Sequence, residues 1–388
     1  MPTQSRELFI DATRGLAMLG VMIAHFSWIF SSLHEEFTAG LEIAKFVMPA
    51  APTFMLISGA LLGYIYETRD RQLGTFGIKL VDRGLFLLIA GHFIIWLAYI
   101  PYAGGMANAA TFGQITDAIG VAIIMGPFLV TRLGASARVM LGCAAFLLTW
   151  AAIAFWYPQG DYGQWVKDTL FGAELGRRSR WGYNFPIVPW VSVYIIATAI
   201  GQHLARSRAA RSESRFAMHL LLLGAAGIAS FFAIKIAWRI ASHFFDLDVT
   251  QSFAAEYLYA HTVAGFKWPP GLSYYVFFCS ISLILLGTLF HLEKRRLLPL
   301  VMSLLTVIGQ NSLFIFLLQE HVYVSLLWSL NPPLNHFWPL ILLATILVNI
   351  LAVYAWKRFA GTYVFTVGYG RVWGPRKAIA KRPESVST

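Results

Sequence analysis

The chain has 388 residues, of which 57% are hydrophobic and only 13% are charged. Soluble domains carry roughly 25% charged residues, so this composition excludes an ordinary globular domain and predicts an all-α polytopic integral membrane protein in a lipid bilayer. The net charge of +11 does not indicate nucleic-acid binding, because basic residues accumulate in the cytoplasmic loops of membrane proteins. The two cysteines lie inside apolar runs and offer neither a disulfide framework nor a metal site.

The apolar runs predict about ten transmembrane helices. They lie at 8–30, 43–66, 84–101, 112–131, 138–157, 184–204, 216–238, 271–292, 298–329 and 337–359. The ninth run is unusually long, and residues 309–312 in its middle (GQNS) are polar for a helix that faces lipid. We therefore expect this run to be broken or tilted.

The basic residues predict how the chain is oriented. If the N-terminus is cytoplasmic, roughly three times as many lysines and arginines fall inside as outside, so we predict that both termini are cytoplasmic. The predicted organisation is a single transmembrane domain at 1–374 and a basic cytoplasmic tail at 375–388.

The first predicted helix carries three ionisable residues, Asp11, Arg14 and His25. A charged group at the centre of a spanning helix costs at least ~2.5–3.5 kcal/mol and usually marks a pathway or a site. At about 100° per residue, positions eleven apart return to nearly the same direction, so Arg14 and His25 share a face about 16 Å apart along the axis. Asp11 lies beside Arg14 on that face. The spacing predicts a polar stripe that faces the interior of the bundle.

Each of these residues has a chemical and a structural interpretation. Imidazole is a good general base near neutral pH, whereas a lone buried histidine is more often a hydrogen-bonded structural residue. The guanidinium of Arg14 suits a phosphate through paired hydrogen bonds, and Asp11 could position it or simply pair with it. Because all three share one face, we favour a site in which His25 is the base and Arg14 holds a phosphate.

Two further sets of residues are candidates for binding. Lys79 and Arg83 are four apart on one helical face and either extend the phosphate site or form an ordinary cytoplasmic flank. The predicted outer loop at 158–183 mixes cations with aromatic rings, which suits a glycan or anionic acceptor or, alternatively, an interfacial aromatic belt. The candidate acceptor-binding residues of that loop are Arg177, Arg178, Arg180 and Trp181. Pairs with metal-ligand spacing are missing from the sequence, so no metal is predicted.

Residues 11–17 (DATRGLA), followed by His25, resemble the first helix of the transmembrane acyltransferase superfamily. That superfamily includes acyltransferase type 3 proteins, periplasmic glucan succinyltransferases and heparan-α-glucosaminide N-acetyltransferase-like proteins. Residues 54–59 (FMLISG) are similar to its second helix, and 185–190 (FPIVPW) resemble a segment of the heparan-glucosaminide branch. Residues 308–316 (IGQNSLFIF) are similar to its Gly-x-Asn-Ser-Leu helix. Relatives often have a histidine shortly after that helix, where this chain reads Gln319-Glu320-His321.

The resemblance implies an acyltransferase domain at 1–374 in the cytoplasmic (inner) membrane. It would move an acetyl or succinyl group from cytoplasmic acyl-CoA to an extracytoplasmic glycan or glycolipid. On this interpretation His25 deprotonates the acceptor, with Asp11 and Asn311 as further catalytic residues. The residues that would bind the acyl-CoA are Arg14, Lys79, Arg83, Ser58 and Gln310. Asn311, Gln310 and Ser58 would stabilise the oxyanion.

A second class of function fits some of the same features. Intramembrane charges and a broken helix also mark secondary transporters and flippases for amphiphilic or anionic solutes. We see no internal repeat of the kind that many transporters have, and saturable acyl-CoA binding would distinguish the two classes. The small-residue surfaces leave a homodimer open.

Overall fold

The computed structural model describes residues 7–37, 40, 42–43, 47, 49–69, 71–109, 113–173, 185–210, 213–245, 253–264, 267, 269–333 and 337–359. Across these ranges the secondary structure is helical, without a β-strand. The principal helices are α1 (Leu8–Leu33), α2 (Ala50–Thr68), α3 (Thr75–Ala103), α4 (Ile115–Arg132), α5 (Ala135–Phe155), α6 (Gly160–Leu170), α7 (Ile187–Ala209), α8 (Glu213–Phe244), α9 (Phe253–Thr262), α10 (Leu272–Lys294), α11 (Pro299–Gln310), α12 (Ser312–Leu330) and α13 (Trp338–Phe359).

Nine helices in the described part of the chain are long and apolar enough to cross a membrane, namely α1, α3, α4, α5, α7, α8, α10, α12 and α13. This finding confirms the prediction of an all-α polytopic membrane protein. The cytoplasmic orientation of the termini stays a prediction. The tail at 375–388 lies outside the described residues.

Helix α2 corresponds to the second predicted span but is not one of these nine. Its 19 residues rise about 28 Å, close to the thickness of a bilayer core. The tyrosines and the glutamate in its last turns make it less apolar than the others, and it begins at Ala50 rather than near residue 43. It nevertheless packs against α1, α7 and α10 inside the bundle.

The expected break in the ninth predicted span is confirmed. The run at 298–329 forms two helices, α11 and α12, which meet at Asn311. The Asn311 side chain donates through Nδ2 to the carbonyl oxygen of Val307 at 2.6 Å. An asparagine that bonds to nearby backbone competes with the regular helical pattern, which is a physical reason for the break at this residue.

Glycines allow the helices around α1 and α2 to approach very closely. A Cβ placed on Gly15 would lie 1.9 Å from the carbonyl oxygen of Leu305, so α1 and α11 pack backbone against backbone. On α2, a Cβ at Gly59 would lie 2.2 Å from the carbonyl oxygen of Tyr194 on α7. Gly59 therefore allows close packing of α2 against α7.

The beginning of α1 is held by polar contacts with three other segments. Glu7 accepts a hydrogen bond from the Tyr64 hydroxyl at 2.8 Å and pairs with Arg208 at the end of α7. The backbone N–H of Phe9 donates to Glu293 on α10 at 2.8 Å. These contacts fix the helix that carries the polar stripe.

Candidate active site

His25 faces helix α12 and meets a buried carboxylate there. Its Nδ1 lies 3.2 Å from Oε1 of Glu320, whose side chain is fully buried, whereas the imidazole itself is 23% exposed. The amide Nε2 of Gln319 donates to the same carboxylate oxygen at 3.0 Å and lies 2.9 Å from Nδ1. An ionised carboxylate can only accept hydrogen bonds, so Glu320 favours a proton on Nδ1, which leaves Nε2 able to take up a proton. The amide nitrogen of Gln319 can only donate, so it competes with that proton for the same ring nitrogen.

Aromatic side chains surround this pair. The ring of Trp28 lies 6.4 Å from that of His25, and the ring of Phe316 lies 6.3 Å from it on another side. Tyr99 of α3 stacks near Trp28 and places its hydroxyl beside the Glu320 carboxylate. The surroundings are therefore largely apolar, which strengthens the interaction between imidazole and carboxylate.

Arg14 belongs to a second polar group about 16 Å along α1 from His25. This arginine group consists of Asp11, Arg14, Arg83, Gln310 and Ser312. Its NH2 donates to Oγ of Ser312 at 3.1 Å, and its NH1 lies 4.0 Å from Asp11. Gln310 donates to the other oxygen of Asp11 at 3.4 Å. Arg83 on α3 lies close enough to Arg14 for the two cations to repel each other. Two arginines in a mostly buried place favour an anionic ligand.

The remaining predicted residues divide between these groups or fall outside them. Gln310 and Asn311 lie at the Arg14 end, since Asn311 precedes Glu320 by nine residues, about 13 Å of helix. The structure therefore does not bring them next to His25. Lys79 is exposed, one turn before Arg83. Ser58 is half-buried beside Gly59, and among the described residues it forms no side-chain hydrogen bond with either group.

The predicted acceptor-binding residues of the outer loop cannot be placed in the site. Four predicted residues lie outside the part of the chain that the structure describes, namely Arg177, Arg178, Arg180 and Trp181. Their proposed contact with the acceptor stays a prediction.

The partner of His25 was not recognised from the sequence. Glu320 falls in the middle of an apolar helix, and a lone acidic residue there was itself a signal of function. A π-helical turn, His321–Leu327, begins directly after it. Such turns inside α-helices are frequent at functional sites.

A second histidine–carboxylate pair was also missed. Nδ1 of His92 lies 3.0 and 3.1 Å from the two oxygens of Asp117. Another π-helical turn, Leu87–Gly91, directly precedes His92 on α3. Asp117 sits in the first turn of α4, where it also accepts from the backbone N–H of Gln114 at 3.0 Å.

The fold and site define a polytopic helical membrane protein with a buried histidine–glutamate pair at one end of its first helix and an arginine group at the other. The family model described as heparan-alpha-glucosaminide N-acetyltransferase, catalytic, matches residues 6–236. Because this match covers more than half of the chain, the protein belongs to that family, and membership implies acetyltransferase activity in a multi-pass membrane protein. Comparison with curated proteins gives no match. The matched range contains Arg14 and His25 and ends before Glu320.

Proposed function

We propose that this protein transfers an acetyl group from acetyl-CoA to the amine of an α-glucosaminide in an extracytoplasmic glycan or glycolipid. The observation that carries the proposal is the contact of 3.2 Å between Nδ1 of His25 and the buried carboxylate of Glu320. The description of the family as an N-acetyltransferase supports acetyl as the transferred group and an amine as the acceptor. The proposal also places the protein in the inner membrane, with both termini in the cytoplasm, as a homodimer.

His25 acts as the general base. Nε2 takes a proton from the amine as its nitrogen attacks the thioester carbonyl carbon, and the C–S bond then breaks to release CoA. The Glu320 carboxylate stabilises the imidazolium that forms and keeps the ring oriented. The imidazole is 23% exposed, so part of the ring can be approached by the acceptor.

The arginine group holds the other end of the acetyl donor. Arg14 and Arg83 bind phosphate groups of CoA, with Lys79 at the exposed approach and Asp11 and Gln310 holding Arg14 in place. The pantetheine arm then follows α1 toward His25. In this arrangement the two groups recognise different ends of one substrate.

Replacing Arg14 with Ala is expected to raise the KM for acetyl-CoA by about 10- to 100-fold, because charge-assisted hydrogen bonds contribute about 1.5–3 kcal/mol each. Turnover of acetyl-pantetheine, which lacks the nucleotide, should change little. The measurement is the initial rate of thiol release at varied concentrations of each thioester. Arg132→Ala removes an exposed arginine at the end of α4 and serves as the matched control. An equal loss with both thioesters would contradict phosphate binding by Arg14.

The proposed function is tested with purified protein in detergent, acetyl-CoA and a simple α-glucosaminide. We expect thiol release in equal amount to N-acetylated sugar, identified by mass spectrometry. Absence of acetylated product with this and other glycan acceptors would reject the proposal. If proteoliposomes accumulated a solute while acetyl-CoA did not bind, the transporter interpretation would replace it.

A further inference from the structure

The His92–Asp117 pair is built like the His25–Glu320 pair but belongs to different helices. Asp117 is 5% exposed and the His92 side chain is 29% exposed. The two carboxylate oxygens of Asp117 are both within 3.1 Å of Nδ1, and the backbone N–H of Gln114 fixes the carboxylate from the other side. A buried carboxylate that orients a partly accessible imidazole is the arrangement required for proton transfer.

His92 lies between the two ends of the proposed path of the acetyl donor. Helix α3 carries Arg83, His92 and Tyr99 in that order, and its ends adjoin the two groups, since Arg83 is near Arg14 and Tyr99 is beside Glu320. His92 and Tyr99 are seven residues apart and share a helical face, about 10 Å apart along the axis. The half of α3 from His92 onward packs against the π-helical turn of α12 that follows Glu320.

We propose that His92, oriented by Asp117, is the acid that protonates the sulfur of the leaving CoA. This inference rests on the proposed acetyl transfer. In the proposed pose the carbonyl carbon is at His25 and the phosphates are at Arg14. The sulfur then lies on the Arg14 side of the carbonyl, and His92 lies on the same side, because it precedes Tyr99 on α3. An alkyl thiol has a pKa of about 8.5, so a thiolate released among helices at neutral pH needs a proton.

The proposed step balances. The amine nitrogen forms a bond to the carbonyl carbon and loses a proton to Nε2 of His25. The C–S bond breaks with its electron pair on sulfur, and the sulfur takes a proton from the His92 imidazolium. His25 then returns a proton to water and His92 takes one up, through the exposed part of each imidazole.

The test varies the acidity of the leaving thiol. S-acetyl-N-acetylcysteamine releases an alkyl thiol, whereas S-(4-nitrophenyl) thioacetate releases a much more acidic thiol that leaves without a proton. Neither donor contains the CoA nucleotide, so the arginine group affects both equally. We expect His92→Gln to lower acetyl transfer from the alkyl thioester by about 100-fold and from the aryl thioester by less than about threefold. His25→Gln should lower both by similar factors.

Controls separate chemistry from folding. Asp117→Asn should give a smaller loss with the same selectivity for the alkyl thioester, and it replaces His92→Gln if that variant does not fold. His291→Gln removes an exposed histidine on α10 and should leave both rates unchanged. Equal losses with the two thioesters, or no loss with either, would overturn the role of His92. If the wild-type protein transferred acetyl from neither thioester nor acetyl-CoA, the proposed function itself would fail.

Discussion

Replacing Glu320 with Gln is expected to lower the kcat of acetyl transfer by about 100-fold while the KM for acetyl-CoA stays nearly unchanged. The glutamine would leave only amide groups, its own and that of Gln319, beside Nδ1, so no carboxylate would favour the tautomer whose Nε2 can take up a proton. It also removes the negative charge that stabilises the imidazolium. The side chain is fully buried next to His25, so water cannot substitute for the missing carboxylate.

The measurement for Glu320→Gln is the steady-state rate of thiol release with a saturating α-glucosaminide acceptor. Glu256→Gln, an exposed glutamate on α9, is the matched control and should retain wild-type rates. A melting temperature close to that of the wild type would show that the variant is folded. Full activity in a folded Glu320→Gln protein would show that the carboxylate does not assist His25.

The largest expected effect on stability is that of Gly201→Leu. A Cβ at this position would lie 1.7 Å from the carbonyl oxygen of Ala60, so α7 and α2 must separate to admit any side chain. Overpacking typically costs ~1–3 kcal/mol, and more where backbone has to move, as it must here. We expect a strongly lowered melting temperature in detergent, or failure to purify as a monodisperse peak.

Gly134→Leu is the matched control for that substitution. A Cβ at Gly134 meets nothing within 4 Å, and its φ of −64° suits any residue. The control should melt within a few degrees of the wild type. A Gly201→Leu protein with the same melting temperature as this control would contradict the close packing of α2 on α7.

Features that depend on one helix could be predicted from the sequence. The shared face of Asp11, Arg14 and His25 follows from the helical repeat alone, and the break at Asn311 follows from polar residues inside a long apolar run. The membrane class follows from composition. In each case the signal lies within about 30 consecutive residues.

Features that depend on helices meeting could not be predicted in the same way. Gln319 contacts His25 across 294 positions of sequence, so the pairing of α1 with α12 is required before Glu320 can be recognised as the partner. The same holds for His92, whose partner Asp117 lies on a different helix. Glycines pack α1 closely against α11, which directly precedes α12, and α3 closely against α4.

The central claim is that His25 is the base for acetyl transfer. The most direct measurement is thiol release from acetyl-CoA with an α-glucosaminide acceptor, for the wild type beside His25→Ala, together with the binding of acetyl-CoA to each protein. The proposed mechanism predicts that His25→Ala binds acetyl-CoA like the wild type and loses at least ~100-fold in rate. Wild-type transfer by a folded His25→Ala protein would contradict it.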